Sequence, residues 1–330
     1  METKRSTTPA AEEILGLYFP VLDHGFVALV DYMGGDADIE QAARVAYGQG
    51  TRKVSETRGL IRYLHRHKHT SPFEMVELKF HCSMPIFVAR QWIRHRTANV
   101  NEMSGRYSIM PMLFYTPPEE QLRAQSTVNK QGREGEIDSD HKARAYNRWR
   151  GQREDAVENY NWLCENDFAR ELARIDLPLS TYTQWYWKID LHNLLHFLTL
   201  RVDSHAQWEI QQFGKVMAGM LKRVAPLSYG AWIDYDVCGV HLSWVEVNAL
   251  RYLLSTETHL NHLSASGREE RRVSYDGLLI NGASAREATN FLDRFRGMDL
   301  PQEIPDFELD LSQAKPASFF EAQAAVAVPR

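Results

Sequence analysis

Val76, Leu78, Phe80, Cys82 and Met84 alternate with Glu77, Lys79, His81 and Ser83. This period of two predicts a β-strand with one buried and one polar face. Pro85 ends the strand and opens a helix predicted for IFVARQWIRHR, residues 86–96. Upstream, Phe26–Tyr32 (FVALVDY) is a second β-rich run, closed by the turn signal Met33-Gly34-Gly35-Asp36. Helices are predicted over Asp38–Tyr47 and Glu56–His65, the second with Leu60, Ile61 and Leu64 at helical spacing. Ser71-Pro72-Phe73-Glu74 matches a capping box and predicts a helix start. Residues 1–20 read as a loosely ordered lead-in.

Residues 118–155 are polar and charged, with glycines near the middle, and predict a surface excursion leading into a helix near Arg144–Asn166. Leu177-Pro178-Leu179-Ser180 marks a break. Helices follow over about Asp190–Val202 and His205–Val224; in the second, Phe213, Val216, Met217, Met220, Leu221 and Val224 form an apolar stripe. Ser243–Glu246 (SWVE) caps a helix predicted to reach Leu254. Ser284–Arg296 predicts another, stopped by Gly297, and beyond Pro301 the chain reads as an arm or tail.

The 330 residues, 44% hydrophobic and 25% charged, suffice for a sizeable core. A net charge of −5 and a pI near 6.2 argue against a general nucleic-acid or membrane-surface binder. An anionic ligand must therefore be held by a local cationic cluster. Cys82, Cys164 and Cys238 are widely spaced and odd in number, which predicts a reducing compartment. The N-terminal residues lack the apolar stretch of a signal peptide, and no apolar run is long enough to span a bilayer, so a cytoplasmic location is expected.

Such a cationic cluster occurs in RHRTANVNEMSGR, Arg94–Arg106. On the predicted helix, Gln91, Arg94 and His95 share one face, and the cations sit at the end where the dipole favours them. Asn99, Asn101, Glu102, Ser104, Gly105 and Arg106 then supply ligand-facing types; the arginine fork matches phosphate oxygens, and Gly105 permits close backbone approach. A second cluster spans residues 191–213. His192 and His196 stand one turn apart, a spacing that suits a metal ion, but the glutamate of an HExxH motif is absent. A phosphate or flavin contact is the better reading. Arg201, on a helix otherwise of Leu, Phe and Val, needs a partner from protein or ligand. A cationic run, His65-Arg66-His67-Lys68-His69, precedes Ser71. No Gly-rich dinucleotide fingerprint or P-loop is present.

RHR followed after seven residues by Ser104 resembles the signature of the flavin-dependent thymidylate synthases. SPFE at Ser71–Glu74, PIFVARQW at Pro85–Trp92, NEMSGRYS at Asn101–Ser108 and LRVDSHAQWEIQQF at Leu200–Phe213 are similar to that family in the same order. The resemblance covers residues 22–235, leaving 1–21 as a lead-in, 118–155 as an insertion and 236–330 as a C-terminal helical extension.

The resemblance implies an α+β, sandwich-like fold, an antiparallel sheet flanked by helices, and a homotetramer with sites shared between subunits. It implies conversion of dUMP to dTMP, with 5,10-methylenetetrahydrofolate as one-carbon donor, FAD as hydride carrier and NADPH as reductant. By position, dUMP would be held by Gln91, Trp92, Ile93 and Arg94, by Glu102, Met103, Ser104, Gly105 and Arg106, and by Arg174 and Arg201. Arg201 would also be catalytic, favouring ionisation of uracil N3. FAD would be held by His69, Ser71, Arg94, His95, Arg96, Glu102, Asp190, His192 and His196. Asn99 stands where many members carry Ser, Met75 where many carry His, and Asp190 and His196 replace commoner Asn residues.

Overall fold

The computed structural model describes residues 5–45, 57–127, 132–248, 250 and 304–327. Its strands are β1 (Tyr18–Val21), β2 (Gly25–Met33), β3 (Glu77–Pro85), β4 (Asn99–Glu102), a short hairpin β5 (Ala124–Gln125) and β6 (Arg133–Glu134), and β7 (Tyr182–Asp190). The main sheet runs β1-β2-β3-β7-β4 with every pair antiparallel. The alternation that marked β3 is its burial pattern: Leu78, Phe80, Cys82 and Met84 are all fully buried. Burial pushes the Cys82 thiol well up, as befits a packing residue.

The helices are α1 (Pro9–Glu12), α2 (Asp36–Val45), α3 (Thr57–Arg66), α4 (Ile86–Trp92), α5 (Ser139–Glu165), α6 (Arg170–Ala173), α7 (Leu191–Arg201), α8 (Trp208–Val224), α9 (Pro226–Trp232) and α10 (Ala317–Ala327). Among the described residues none is long and apolar enough to cross a membrane. Trp92 of α4 joins the two layers. Its ring lies 5.4 Å from Trp185 and 5.3 Å from Trp187 of β7, 5.0 Å from Phe197 of α7 and 5.8 Å from Phe213 of α8. On the opposite sheet face, the ring of Phe320 of α10 packs tilted against Phe26, 4.7 Å between centroids. The protein is thus a mixed α+β fold whose antiparallel sheet carries helices on both faces.

The described residues fall into two compact units, one within Met1–Trp232 with Phe307–Arg330 and one within Ile233–Asp306. The first unit holds segments that the sequence left loose. Residues 9–21 form α1 and β1, with Ala11 and Ile14 fully buried. Beyond Pro301, Lys315 pairs with Tyr18 at the sheet edge, and Leu309 packs so closely on Gly219 that a Cβ there would lie 2.8 Å from its Cγ. This segment closes an otherwise open strand edge. In the second unit Ser243 and Glu246 form the expected capping box, Glu246 N donating to Ser243 Oγ at 3.3 Å and Ser243 N to Glu246 Oε2 at 2.6 Å. The end of that helix and the one expected at 284–296 lie outside the described residues.

Ser71–Glu74 does not open a helix. Phe73–Met75 is a single 3-10 turn without a side-chain cap, because β3 claims the chain from Glu77.

Candidate active site

The apolar run after Pro85 carries α4 only to Trp92. This corrects the helix expected through Arg96, with Gln91, Arg94 and His95 on one face. Edge strand β4 pairs Asn99–Glu102 with Lys188–Trp185 of β7, and that ladder draws Arg94–Arg96 out of the helix into the connection. The tripeptide therefore faces the end of α7.

Helix α7 is aimed at this connection by its N-cap. Asp190 accepts from Asn193 N at 2.9 Å and from Asn193 Nδ2 at 2.7 Å, so both carboxylate oxygens serve the cap. Asn193 in turn accepts from Thr97 Oγ1 at 2.8 Å, tying helix start to loop. Arg201, in the last turn, donates from Nε to His95 Nε2 at 3.0 Å. That bond answers the question of the guanidinium's protein partner. It requires a neutral imidazole acceptor, and the surroundings supply one: burial, then the Arg201 charge, then His196 lower the His95 pKa from 6.5 to about 4.

Arg94, His95, Arg96, Thr97, Asn193, His196, Leu200 and Arg201 line a cleft of about 630 Å³. Among the described residues three arginines and no acid line it, a setting that suits an anion. His192, His69 and Ser71 are not among its lining residues: His192 lies one turn before His196, and His69 and Ser71 are exposed on the connection before β3. Among the described residues, no group of three or more His, Cys, Asp or Glu side chains is placed to hold a metal ion.

The Glu102–Arg106 segment forms a second cluster. Glu102 accepts from Thr183 Oγ1 at 2.7 Å, and Met103 N donates to Gln184 O at 2.9 Å, so β7 holds the loop's entrance. Ser104 closes the turn: its Oγ accepts from Arg106 N at 3.3 Å and its carbonyl from Tyr107 N at 3.1 Å. Gly105 lets the loop pack closely here, since a Cβ would sit 2.8 Å from Met110 Sδ and 3.1 Å from Arg174 Cδ and those side chains would have to shift. Arg174 thereby joins this loop and not the cleft under Arg201.

The Trp92 side chain is fully buried in the aromatic core, so any part this residue takes in holding a ligand falls to its backbone. The sequence also passed over Glu209, which is 1% exposed yet charged. It accepts from Tyr115 at 3.0 Å, from Arg133 at 2.5 and 2.7 Å, and from Gln207 at 2.8 Å. A lone Glu on an amphipathic helix reads as solvated; only the distant Tyr115 and Arg133 make it a core residue.

The fold is mixed helix and antiparallel sheet, and comparison with known proteins shows the family to which it belongs. The model of the thymidylate synthase complementing protein family matches residues 28–227. The flavin-dependent thymidylate synthase of Gluconobacter oxydans is 48% identical over 285 residues, 86% of this chain and 93% of that one. That of Dictyostelium discoideum is 53% identical over 239 residues, 70% of this chain and 78% of that one. Among solved structures, the UMP/dUMP methylase PolB from Streptomyces cacaoi bound with 5-Br UMP superposes with a TM-score of 0.59 at 34% identity, covering 66% of this chain and 97% of that one. A PolB structure bound with 5-Br dUMP gives the same TM-score. The chain belongs to the flavin-dependent thymidylate synthase family, whose members are methyltransferase enzymes.

Proposed function

We propose that this chain makes dTMP from dUMP by reductive methylation, with 5,10-methylenetetrahydrofolate as one-carbon donor, FAD as hydride carrier and NADPH as reductant. The observation that carries the reading is Arg201, held through Nε by neutral His95 at 3.0 Å, with its terminal nitrogens left for a ligand in a cleft that has no acid among the described residues. A fixed guanidinium beside uracil N3 stabilises the anion formed when N3 loses its proton, and the anionic ring is the better nucleophile at C5. A neutral His95 adds no competing positive charge and fixes the guanidinium plane.

The cleft also fits FAD. Arg94 and Arg96 suit a pyrophosphate, and Thr97, Asn193 and His196 offer hydrogen bonds beside it. Bound there, FAD supplies the hydride that no side chain can provide. His69, Ser71, His192 and Glu102 stay assigned to the flavin by family position.

The nucleotide residues stand in separate groups: Arg94 and Arg201 line the cleft, Glu102–Arg106 pack with Arg174, and Gln91, bonded to Gln207 at the end of α4, is assigned to the nucleotide by family position. This division supports a site completed by a second copy. Tyr107, Trp162, Phe168, Leu172 and Ile175 around the second group are 46–72% exposed in the single chain, an apolar surface of the kind that oligomers cover. In this reading Met103 and Ile93 contribute backbone, the catalytic unit comprises residues 22–232 together with β1 and the segment from Phe307, and the assembly is a homotetramer.

An anaerobic absorbance scan tests the flavin assignment. The purified protein should show a flavin spectrum that NADPH bleaches, with a rate that changes on adding dUMP. A protein that takes up no FAD contradicts the reading.

A further inference from the structure

Gln91 Nε2 donates to Gln207 Oε1, and Gln207 Nε2 donates to Glu209 Oε2 at 2.8 Å. Gln207 occupies the N-cap position of α8, but its side chain makes no cap bond; it turns instead to the buried carboxylate. The direction of this chain of bonds follows from its end. A carboxylate accepts only, so Gln207 must offer its NH₂ to Glu209 and its carbonyl to Gln91. Gln91 must then spend its NH₂ on Gln207, and its own carbonyl oxygen remains for a ligand.

The carboxylate is itself clamped. Arg133 reaches it from β6, within the 118–155 segment, and binds both oxygens from one nitrogen at 2.5 and 2.7 Å. Tyr115 donates to Oε1 at 3.0 Å from the other side. Burial and the adjacent carboxylate push the Tyr115 phenol far up, which keeps it a donor. Every group around Glu209 is therefore a donor, and the carboxylate has no freedom to reverse the polarity of the relay.

We propose that Arg133, Glu209 and Gln207 are positioning residues that fix the Gln91 amide with its carbonyl oxygen toward the nucleotide, where it accepts from an N–H or O–H of the substrate. The 118–155 insertion then contributes to substrate recognition through Arg133 without touching the substrate. The proposal rests on the placement of Gln91 at the dUMP site.

The test is calorimetric titration of the FAD-loaded protein with dUMP. Gln91→Ala should weaken dUMP binding. Arg133→Met should weaken it about tenfold, the upper range for one neutral hydrogen bond, and Arg133→Lys should recover part of the loss. The double variant Arg133→Met/Gln91→Ala should bind no worse than Gln91→Ala alone, because both changes remove one contact. Glu209→Gln keeps the shape and replaces one acceptor by a donor, so it should also weaken binding if Arg133→Met fails to fold. Arg133→Met and Glu209→Gln binding as the parent does, with Gln91→Ala weakened, overturns the relay alone. Full additivity of Arg133→Met and Gln91→Ala overturns it too, as it indicates a general structural effect. Unchanged binding by Gln91→Ala overturns the placement of Gln91 at the nucleotide.

Discussion

Arg201→Ala is expected to lower turnover by about 10²–10³-fold, the usual cost of removing a preorganised group that stabilises developing charge. The fold should survive, because Arg201 is a half-buried side chain in the last turn of α7 and, among the described residues, its side chain bonds His95 alone. Steady-state kinetics together with thermal unfolding check both halves; near-parental turnover refutes the role. A second signature accompanies the loss. The Arg201 charge is one of the causes that depress His95, so its removal should move the imidazole pKa upward from about 4. In the parent, the unfolded chain takes up a proton on this group near 6.5 while the folded protein resists until about 4. Folding stability therefore falls as pH drops through that window, and the fall should be smaller in the variant. The imidazole resonances of His95 followed against pH decide this.

Trp92→Ala should cost about 3–5 kcal/mol of stability, as truncation of a large core aromatic does. Trp92 is fully buried and touches rings from β7, α7 and α8, so the cavity would open at the point that joins the sheet to its helices. Trp92→Phe should lose far less. Its indole Nε1 is buried without a partner, so no hydrogen bond is lost with it. Chemical denaturation measures the first effect. For the second, dUMP affinity should stay near the parent's in Trp92→Phe, and a large loss there makes the Trp92 side chain a direct ligand.

The parts of this fold legible in the sequence were those whose signal is local. The alternation of Val76–Met84 and the stripe from Phe213 to Val224 appear as β3 and α8 because one face of each is buried along its whole length. Strand β7 is less legible, because Trp185, Trp187 and Ile189 alternate while Tyr182 and Tyr186 put large rings on the other phase as well. Strand β4 has four exposed residues and no periodic signal at all; only pairing with β7 makes it a strand. The same pairing ended α4 early, so the chemistry of Arg94–Arg106 was legible but its geometry was not. Glu209 shows the limit most plainly, since its partners lie 76 and 94 residues away in sequence.

Direct assay of dTMP is the most telling measurement. The purified protein should form dTMP when dUMP, 5,10-methylenetetrahydrofolate, NADPH and FAD are all supplied, and omission of any one should stop it, with FAD restoring activity to flavin-stripped protein. Formation of dTMP by flavin-free protein, or none from the complete mixture, would contradict the proposed reaction.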